Sequence, residues 1–249
     1  IEIRARVEGF LESVHFEDGD YVKEGQLLFI IDPRPFKAAV ENARGRLAKH
    51  KAQLERATKE YERNLLLFKQ NAASEANVVK WKGEMEESKG TVLSSQGALD
   101  KALLDLSYCT IRAPISGRIS RKKVDIGNLV GAGEFTLLTT IRKPDPIYAY
   151  FSINERDLLA VMKRAREEGV TAENPDKIPL ELGLANETGF PHKGHLDFVD
   201  STLDPGTGTM LLRGLFPNPG PPHFLYTGLF VWVRLPVNER KRALLTSER

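Results

Sequence analysis

The sequence predicts an elongated, multidomain α+β protein. A small β domain should be interrupted by an antiparallel α-helical coiled-coil hairpin, and a small antiparallel β-barrel with one helix should follow. Three observations support this prediction. A β-like segment at 7–30 recurs at 115–138. Between the two copies, apolar residues follow the heptad spacing of a coiled-coil seam. After residue 141 the pattern changes to short alternating strands around one amphipathic segment.

The two copies of the repeat align at a constant offset. The aligned pairs are Gly9 and Gly117, Gly19 and Gly127, Gly25 and Gly133, Val22 and Val130, and Asp20 and Asn128. Glycine turns at 17–20 and 125–128 separate short runs of Val, Ile, Leu and Phe, which is a hairpin signal. Because a half-barrel of short strands cannot bury its apolar face alone, we expect the copies to fold together. This assigns 1–35 and 107–141 to one β domain.

Residues 36–106 form the predicted helical hairpin. Pro33 and Pro35 stop the preceding strand and favour a helix start. The first seam consists of Phe36, Val40, Ala43, Leu47, Leu54, Ala57, Tyr61 and Phe68, with His50 and Asn64 between them. The second seam consists of Val78, Trp81, Met85, Val92, Leu99, Ala102 and Leu106, with Ser88 and Ser95 between them. The break at 71–74 is short, so the helices should be antiparallel neighbours, each extending about 50 Å.

The far end of this hairpin carries four consecutive apolar residues, Leu65, Leu66, Leu67 and Phe68. Consecutive residues point in different directions around a helix, and the second helix can cover only one side. The remainder would be exposed apolar surface, which usually marks a docking site. A solvated spacer or a self-dimerising coiled coil is the alternative. Ser74 fits the N-cap of the second helix.

Glycines recur on the hairpin at the position most distant from the seam. Gly83, Gly90 and Gly97 are seven residues apart on the second helix, and Gly45 holds the equivalent position on the first. Each glycine costs a helix about 1 kcal/mol relative to alanine. We therefore hypothesise that neighbouring hairpins approach closely there. The alternative is that these glycines arose by neutral sequence drift at exposed positions that tolerate many residue types.

Residues 142–242 are predicted to form the β-barrel domain, because several short strands and one helix fit that architecture. The expected strands are 147–153, 178–184, 195–201, 210–216 and 229–237. Asn154 should cap the helix and Gly169 should end it. Its expected apolar side consists of Leu158, Leu159, Val161 and Met162. Residues 204–209 suit a hairpin turn better than a phosphate cradle, since no helix follows them.

Composition excludes several functional classes. A formal net charge of +2 gives no reason to expect nucleic acid, and the basic clusters at 118–123 and 240–242 are interpreted as solvated surface. Cys109 is the single cysteine, so the chain has no intrachain disulfide and no thiolate metal site. No segment approaches the about 20 apolar residues of a transmembrane helix. The chain starts at Ile1 without an initiator methionine, so we expect it to be a fragment.

No catalytic, cofactor-binding or metal-binding residues are predicted, and the protein is not expected to be an enzyme. His192 and His195 lie three apart in a strand-like segment, which places them on opposite faces. The other histidines, His15, His50 and His223, have no nearby pattern of ligands. Three methionines spread along the chain do not form a thioether cluster.

Paired, the two copies of the repeat resemble the halves of a lipoyl or biotinyl domain, the barrel-sandwich hybrid. That resemblance raises one enzymatic alternative, the carrier component of an enzyme complex. A carrier needs a lysine on the exposed turn between the halves, to hold its prosthetic group. Here the turn is replaced by residues 32–36 and the helical hairpin. The carrier therefore lacks its essential residue and remains a distant alternative.

Lipoyl halves split by a helical hairpin resemble the periplasmic adaptors, or membrane fusion proteins, of tripartite resistance-nodulation-division (RND) multidrug efflux pumps, AcrA/MexA type. The segments that carry the resemblance are 29–33, 108–119, 144–148 and 212–219. The resemblance implies a non-enzymatic adaptor in the periplasm of a Gram-negative bacterium. Such an adaptor links a proton-driven inner-membrane RND transporter to a TolC-like outer-membrane channel, for export of drugs or other small molecules. An adaptor of an ABC-type exporter or a type I secretion system is the alternative.

The resemblance also implies specific contacts. The family carries an Arg-x3-Leu-x6-Ser motif at the hairpin tip for binding the channel, and Arg63, Leu67 and Ser74 have that spacing here. Arg63 and Leu67 are one helical turn apart and are predicted to lie off the seam. The family implies a ring of copies, a homohexamer. It also implies an inner-membrane anchor outside this chain and a membrane-proximal domain of which 243–249 would be the start.

Overall fold

The computed structural model describes residues 1–133, 135–167 and 178–235. It divides into two compact units, Ile1–Arg142 and Lys143–Arg249, which are described separately.

Within its described residues, the first unit contains two four-stranded antiparallel sheets. The strands are β1 (Glu2–Arg4), β2 (Gly9–Val14), β3 (Tyr21–Val22), β4 (Leu27–Ile31), β5 (Thr110–Arg112), β6 (Gly117–Ile119), β7 (Leu129–Val130) and β8 (Leu137–Arg142). One sheet has the order β1-β8-β6-β3 and the other β5-β4-β2-β7. Each sheet therefore draws strands from both copies of the repeat.

The two copies exchange equivalent strands. In the first copy β2 pairs with β7 of the second, and β3 of the first pairs with β6 of the second. The amide of Leu11 donates to the carbonyl of Asn128 at 2.9 Å, and the aligned amide of Ile119 donates to the carbonyl of Asp20 at 2.8 Å. Both copies bury their apolar side chains in one core, with members such as Val22 and Val130. The expectation that the copies fold together is confirmed.

The aligned glycines serve the same purpose in both copies. Gly19 and Gly127 have φ of +92° and +89°, a conformation that a side chain disfavours. Gly9 and Gly117 instead allow close packing, since an added Cβ at Gly9 would lie 2.6 Å from Cγ2 of Ile31. An added Cβ at Gly117 would clash with the carbonyl of Arg142. The repeat is thus conserved in backbone conformation as well as in pattern.

Two long helices separate the copies, α1 (Arg34–Lys69) and α2 (Glu75–Tyr108). Pro33 is the N-cap of α1, and the amide of Arg34 donates to the carboxylate of Asp32 at 3.0 Å. The helices pack side by side and antiparallel, and near the sheets Val40 and Leu47 of α1 share a cluster with Leu99 of α2.

The predicted seam is the buried face of both helices. Every seam residue is buried or partly buried except Phe68. The two polar seam positions pair with each other, because Nδ1 of His50 lies 2.5 Å from Oγ of Ser95. Phe68 is 41% exposed, so its placement on the seam is wrong. It lies in the last turn of α1, and α2 does not begin until Glu75.

The second unit forms one five-stranded antiparallel sheet over its described residues. Its elements are β9 (Ile147–Asn154), α3 (Glu155–Glu167), β10 (Pro179–Leu184), β11 (His192–Asp204), β12 (Thr209–Phe216) and β13 (Val231–Arg234). The strand order is β13-β10-β11-β12-β9. Side chains of the two edge strands, such as Ala149 and Val231, pack into the same core. The sheet therefore curls around that core, as a barrel-like fold requires.

The helix α3 follows part of the prediction. Oδ1 of Asn154 accepts from the amide of Asp157 at 2.8 Å, which confirms the cap. Leu158 is buried, but Leu159 and Met162 are exposed, so only part of the predicted apolar side packs. The predicted helix end at Gly169 lies outside the described residues.

The strand predictions in this unit hold with shifted bounds. β11 extends beyond the predicted 195–201 at both ends, and residues 204–209 form the hairpin turn, where the amide of Gly208 donates to the carbonyl of Asp204. Residues 236–249, which include the basic cluster at 240–242 and the predicted domain start at 243–249, lie outside the described part.

None of the described helices is both long enough and apolar enough to cross a membrane.

Candidate partner-binding surface

The tip of the hairpin is a compact, hydrogen-bonded turn. The amide of Ala72 donates to the carbonyl of Leu67 at 2.8 Å, and the amide of Asn71 donates to the carbonyl of Phe68 at 3.0 Å. Asn71 has φ of +54°. These two bonds and the left-handed residue form a Schellman motif, which closes a helix end. The end of α1 is therefore held in a defined shape.

Leu67 holds a defined position in this motif, because its carbonyl accepts the longer hydrogen bond, from the amide of Ala72. An apolar contact between the residues at these two positions frequently accompanies the motif. Leu67 is partly buried rather than free on the outer surface. Part of the Leu67 side chain remains accessible, and its contact with a partner stays a prediction. Asn71 was missed as a site residue, although an asparagine directly after a helical pattern is a signal for this cap.

The second helix begins at the expected residue. Ser74 has extended backbone dihedrals, and its Oγ accepts from the amide of Asn77 at 3.4 Å. This confirms Ser74 as the N-cap of α2. Glu75 adds a negative charge to the first turn, where the helix dipole favours it.

Arg63 lies one helical turn before Leu67. Its side chain is 64% exposed and forms an ion pair with Glu60 on the same helix. Exposed ion pairs of this kind contribute about 0–1 kcal/mol. A partner carboxylate or carbonyl can therefore replace Glu60 at little cost in free energy, and a guanidinium offers it several N–H donors.

Exposed apolar side chains lie on both helices at the tip. Leu66 and Phe68, on either side of Leu67, are 58% and 41% exposed, and Val79 in the first turns of α2 is 63% exposed. Leu65 is partly buried like Leu67. The prediction of exposed apolar surface at the tip is therefore confirmed, and the exposed residues are Leu66, Phe68 and Val79. Side chains of this type can fill apolar holes on a partner.

The four outer glycines lie where the seam pattern places them. Gly45, Gly83, Gly90 and Gly97 are all exposed, and an added Cβ on any of them would have no atom within 4 Å. The fold of the single chain therefore does not require glycine at these positions.

Three titratable groups away from the tip have structural surroundings that account for them. The side chain of Arg34 donates to the carboxylate of Asp32 at the base of α1, and this lowers the pKa of Asp32 to about 2. Burial raises the pKa of the Cys109 thiol to about 11. Nε2 of His192 lies 3.0 Å from Oε1 of Glu187. Among the described residues, no three His, Cys, Asp or Glu side chains are grouped as they would be around a metal ion.

Family models match both units of the chain. Residues 1–142 match the barrel-sandwich hybrid domain of RND membrane fusion proteins, and residues 146–239 match the β-barrel domain of the same proteins.

Two curated relatives are similar over nearly the whole chain. Multidrug resistance protein MdtA of Yersinia enterocolitica is 32% identical over 245 residues, which cover 98% of this chain and 54% of the relative. The efflux pump periplasmic linker BepD of Brucella suis is 34% identical over 232 residues, which cover 93% of this chain and 58% of that protein. The chain thus spans about half the length of the curated relatives it matches.

A solved structure supports the fold. A MacA–MexA chimeric protein containing the Pseudomonas aeruginosa MexA α-hairpin domain aligns with a TM-score of 0.70 at 19% identity, over 96% of this chain and 78% of the chimera. The similarity at this identity concerns the fold alone. Together with the two family models it confirms the resemblance inferred from the split repeat, and the chain belongs to the RND membrane fusion protein family.

Proposed function

We propose that the protein is a periplasmic adaptor that links an inner-membrane RND transporter to a TolC-like outer-membrane channel, for the export of drugs or other small molecules. The observation that carries the proposal is the hairpin tip, where Leu66 and Phe68 expose apolar surface within two helical turns of the exposed charge of Arg63. Membership of the RND membrane fusion proteins supports it.

The tip is the proposed channel-binding surface. Leu66, Leu67 and Phe68 would fill apolar holes between helices of the channel, while Arg63 would exchange Glu60 for an acceptor on the partner. Ser74 and Asn71 would act by fixing the turn that presents these side chains. The free energy of docking would come from burial of apolar area, at about 25 cal/mol per Å².

The proposal gives the chain no catalytic chemistry. Proton-driven transport belongs to the transporter, and the adaptor couples its two partners by packing. The proposed location is the periplasm of a Gram-negative bacterium, with the protein held at the inner membrane.

We propose further that the adaptor works as a ring of copies, a homohexamer. Gly45, Gly83, Gly90 and Gly97 support contacts between hairpins, because glycine lets two backbones approach closely and the single chain does not need it there. A heterologous contact between identical subunits closes into a ring when its rotation permits.

The test is chemical crosslinking in the producing cells, followed by purification of the adaptor and identification of the copurified membrane proteins. We expect a large transporter without an ATPase domain, and an outer-membrane channel. Copurification of an ATP-binding cassette protein would instead show that the adaptor serves an ABC exporter or a type I secretion system. An acylated lysine together with soluble enzyme subunits would favour the carrier and contradict the proposal.

A further inference from the structure

A groove lies in the second unit between the edge strand β9 and the segment that leads into β13. Its volume is about 550 Å³, within the range of pockets that bind small molecules. β9 and β13 are the two ends of the described sheet and are not paired with each other. The groove is therefore the place where the curled sheet stays open.

The groove reaches the apolar core. Leu182 and Leu225, both buried in that core, form part of its lining. Nearer the surface, Tyr148, Tyr150 and Leu229 line it and are exposed. An apolar molecule that entered would cover these exposed side chains and rest on buried ones, which is the arrangement of a ligand site.

The side chain of Asn218 forms hydrogen bonds with both segments that border the groove, the one before β9 and the one before β13. Asn218 is 2% exposed, and its Nδ2 donates to the carbonyl of Pro144 at 3.0 Å and to the carbonyl of Leu225 at 2.8 Å. The amide of Leu225 donates back to Oδ1 of Asn218 at 3.1 Å. A buried, fully bonded amide of this kind makes the loop rigid. The groove is thus preformed, and a ligand would not need to order it.

The charged side chain in the described lining of the groove is positive. Lys143 is exposed and is the single Lys, Arg, Asp or Glu among the described lining residues. The nearby Asp145 directs Oδ1 to the amide of Asn218, from which it accepts at 2.9 Å. A molecule in the groove would therefore meet a cation and no lining carboxylate. An anionic group at the mouth is favoured over a cationic one.

We propose that this groove binds an anionic amphiphile, a small molecule with a flat apolar body and one acidic group. The body lies on Leu182 and Leu225 beside Tyr148 and Tyr150, and the acidic group pairs with Lys143. This site goes beyond the adaptor function, because it lies on the β-barrel unit and uses no residue of the hairpin tip.

The experiment uses the full chain and the anionic dye 8-anilinonaphthalene-1-sulfonate, with N-phenyl-1-naphthylamine as its neutral analogue. The chain has two tryptophans, Trp81 and Trp232, so Trp81→Phe leaves Trp232 as the energy donor beside the groove. We expect one saturable site for the anionic dye, with energy transfer from Trp232. Circular dichroism of each variant checks that the fold is intact.

Three substitutions separate the parts of the site. Lys143→Glu should weaken binding of the anionic dye at least tenfold and change binding of the neutral dye less than twofold. Lys193→Glu is the matched control, an exposed lysine on β11 outside the groove, and should change either dye less than twofold. Leu229→Gln should weaken both dyes. Absence of a saturable site, equal effects of Lys143→Glu and Lys193→Glu, or tighter binding of the neutral dye would each overturn the proposal.

Discussion

At the scale of single residues, the tip shows how a motif and its environment differ. The spacing of Arg63, Leu67 and Ser74 suggests three equivalent contact residues, but the structure gives each a different environment. Arg63 is exposed beside Glu60, Leu67 is partly buried, and Ser74 caps α2. The motif therefore combines one exposed side chain, one partly buried side chain and one helix cap.

Reversing the tip charge should separate docking from folding. Arg63→Asp should abolish crosslinking to the outer-membrane channel and efflux, because it places an acid where a donor is required. Arg44→Asp is the matched control, since Arg44 pairs with Glu41 three residues earlier on the same helix, as Arg63 does with Glu60. Circular dichroism should be unchanged in both. Normal efflux in Arg63→Asp would contradict docking through this residue.

An acid within the apolar part of the tip should have the same effect. We expect Leu67→Asp and Leu66→Asp to abolish channel crosslinking, with Leu67→Asp also lowering the melting temperature because Leu67 is partly enclosed. Leu103→Asp is the control, because Leu103 is 39% exposed, lies on α2 far from the tip, and is not on the helix face of Gly90 and Gly97. If Leu103→Asp lost crosslinking as well, the contact would not be specific to the tip.

The base of the hairpin should respond to acid. Arg34 lowers the pKa of Asp32 to about 2 in the folded chain, whereas an unfolded aspartate titrates near about 3.9. The stabilising contact is thus present above about pH 4 and is lost as the pH falls through about 2. Thermal melts of the natural chain and of Asp32→Asn should differ at pH 7 and converge between pH 4 and pH 2. A difference that stays constant with pH would exclude this linkage.

At the scale of elements, heptad spacing predicts the helices well and their ends less well. The seam from Phe36 to Leu106 was readable because each buried position recurs along a helix. Phe68 matches the spacing but is exposed, because a periodic pattern carries no information about where the facing helix begins. On α3, the prediction that Leu159 and Met162 belong to the packed apolar side is wrong, because both are exposed. A short helix needs only a narrow apolar stripe to pack against a sheet.

The outer glycines should have opposite effects on the single chain and on the assembly. Alanine at Gly83, Gly90 or Gly97 should raise the free energy of unfolding of the isolated chain by up to about 1 kcal/mol each, because space for a Cβ is available. Leucine there should reduce contact between copies by separating the helices.

Two measurements check this proposal. Urea melts give the free energy of unfolding, and disulfide crosslinking between copies that carry Gly90→Cys gives their proximity in cells. A cysteine at Lys89 is the control, because Lys89 is exposed at the same height on α2 but points about 100° around the helix from Gly90. Absence of a crosslinked product at position 90, or equal crosslinking at position 89, would rule out hairpin contacts along the glycines.

At the scale of the whole molecule, the repeat predicted more than any local signal. Strands as short as β3 and β7, with two residues each, cannot be identified individually from sequence. They could be located because the two copies of the repeat align at these positions. The exchange of strands between copies was not predictable from spacing, since two half-barrels could also pack face to face without exchange. The groove of the second unit was not predictable either. It depends on the two edge strands, β9 and β13, which do not pair with each other.

Strand exchange should make the two copies unfold together. Val22→Ala and Val130→Ala remove equivalent fully buried side chains, and each should lower the free energy of unfolding by about 2 kcal/mol. Hydrogen exchange should accelerate in both copies in either variant. Val79→Ala, at an exposed position, should change stability by less than about 0.5 kcal/mol. Faster exchange confined to the mutated copy would show that the copies are independent.

Both ends of the hairpin leave the β domain from neighbouring strands. β4 leads into α1, β5 follows α2, and these two strands pair, with the amide of Ile31 donating to the carbonyl of Cys109 at 2.8 Å. Because the two attachment points are side by side, one heptad could be deleted from each helix without changing any strand. Each such deletion would shorten the reach by about 10 Å. The distance of the tip from the β domain can therefore change in steps of two helical turns, while the strands of that domain stay unaltered.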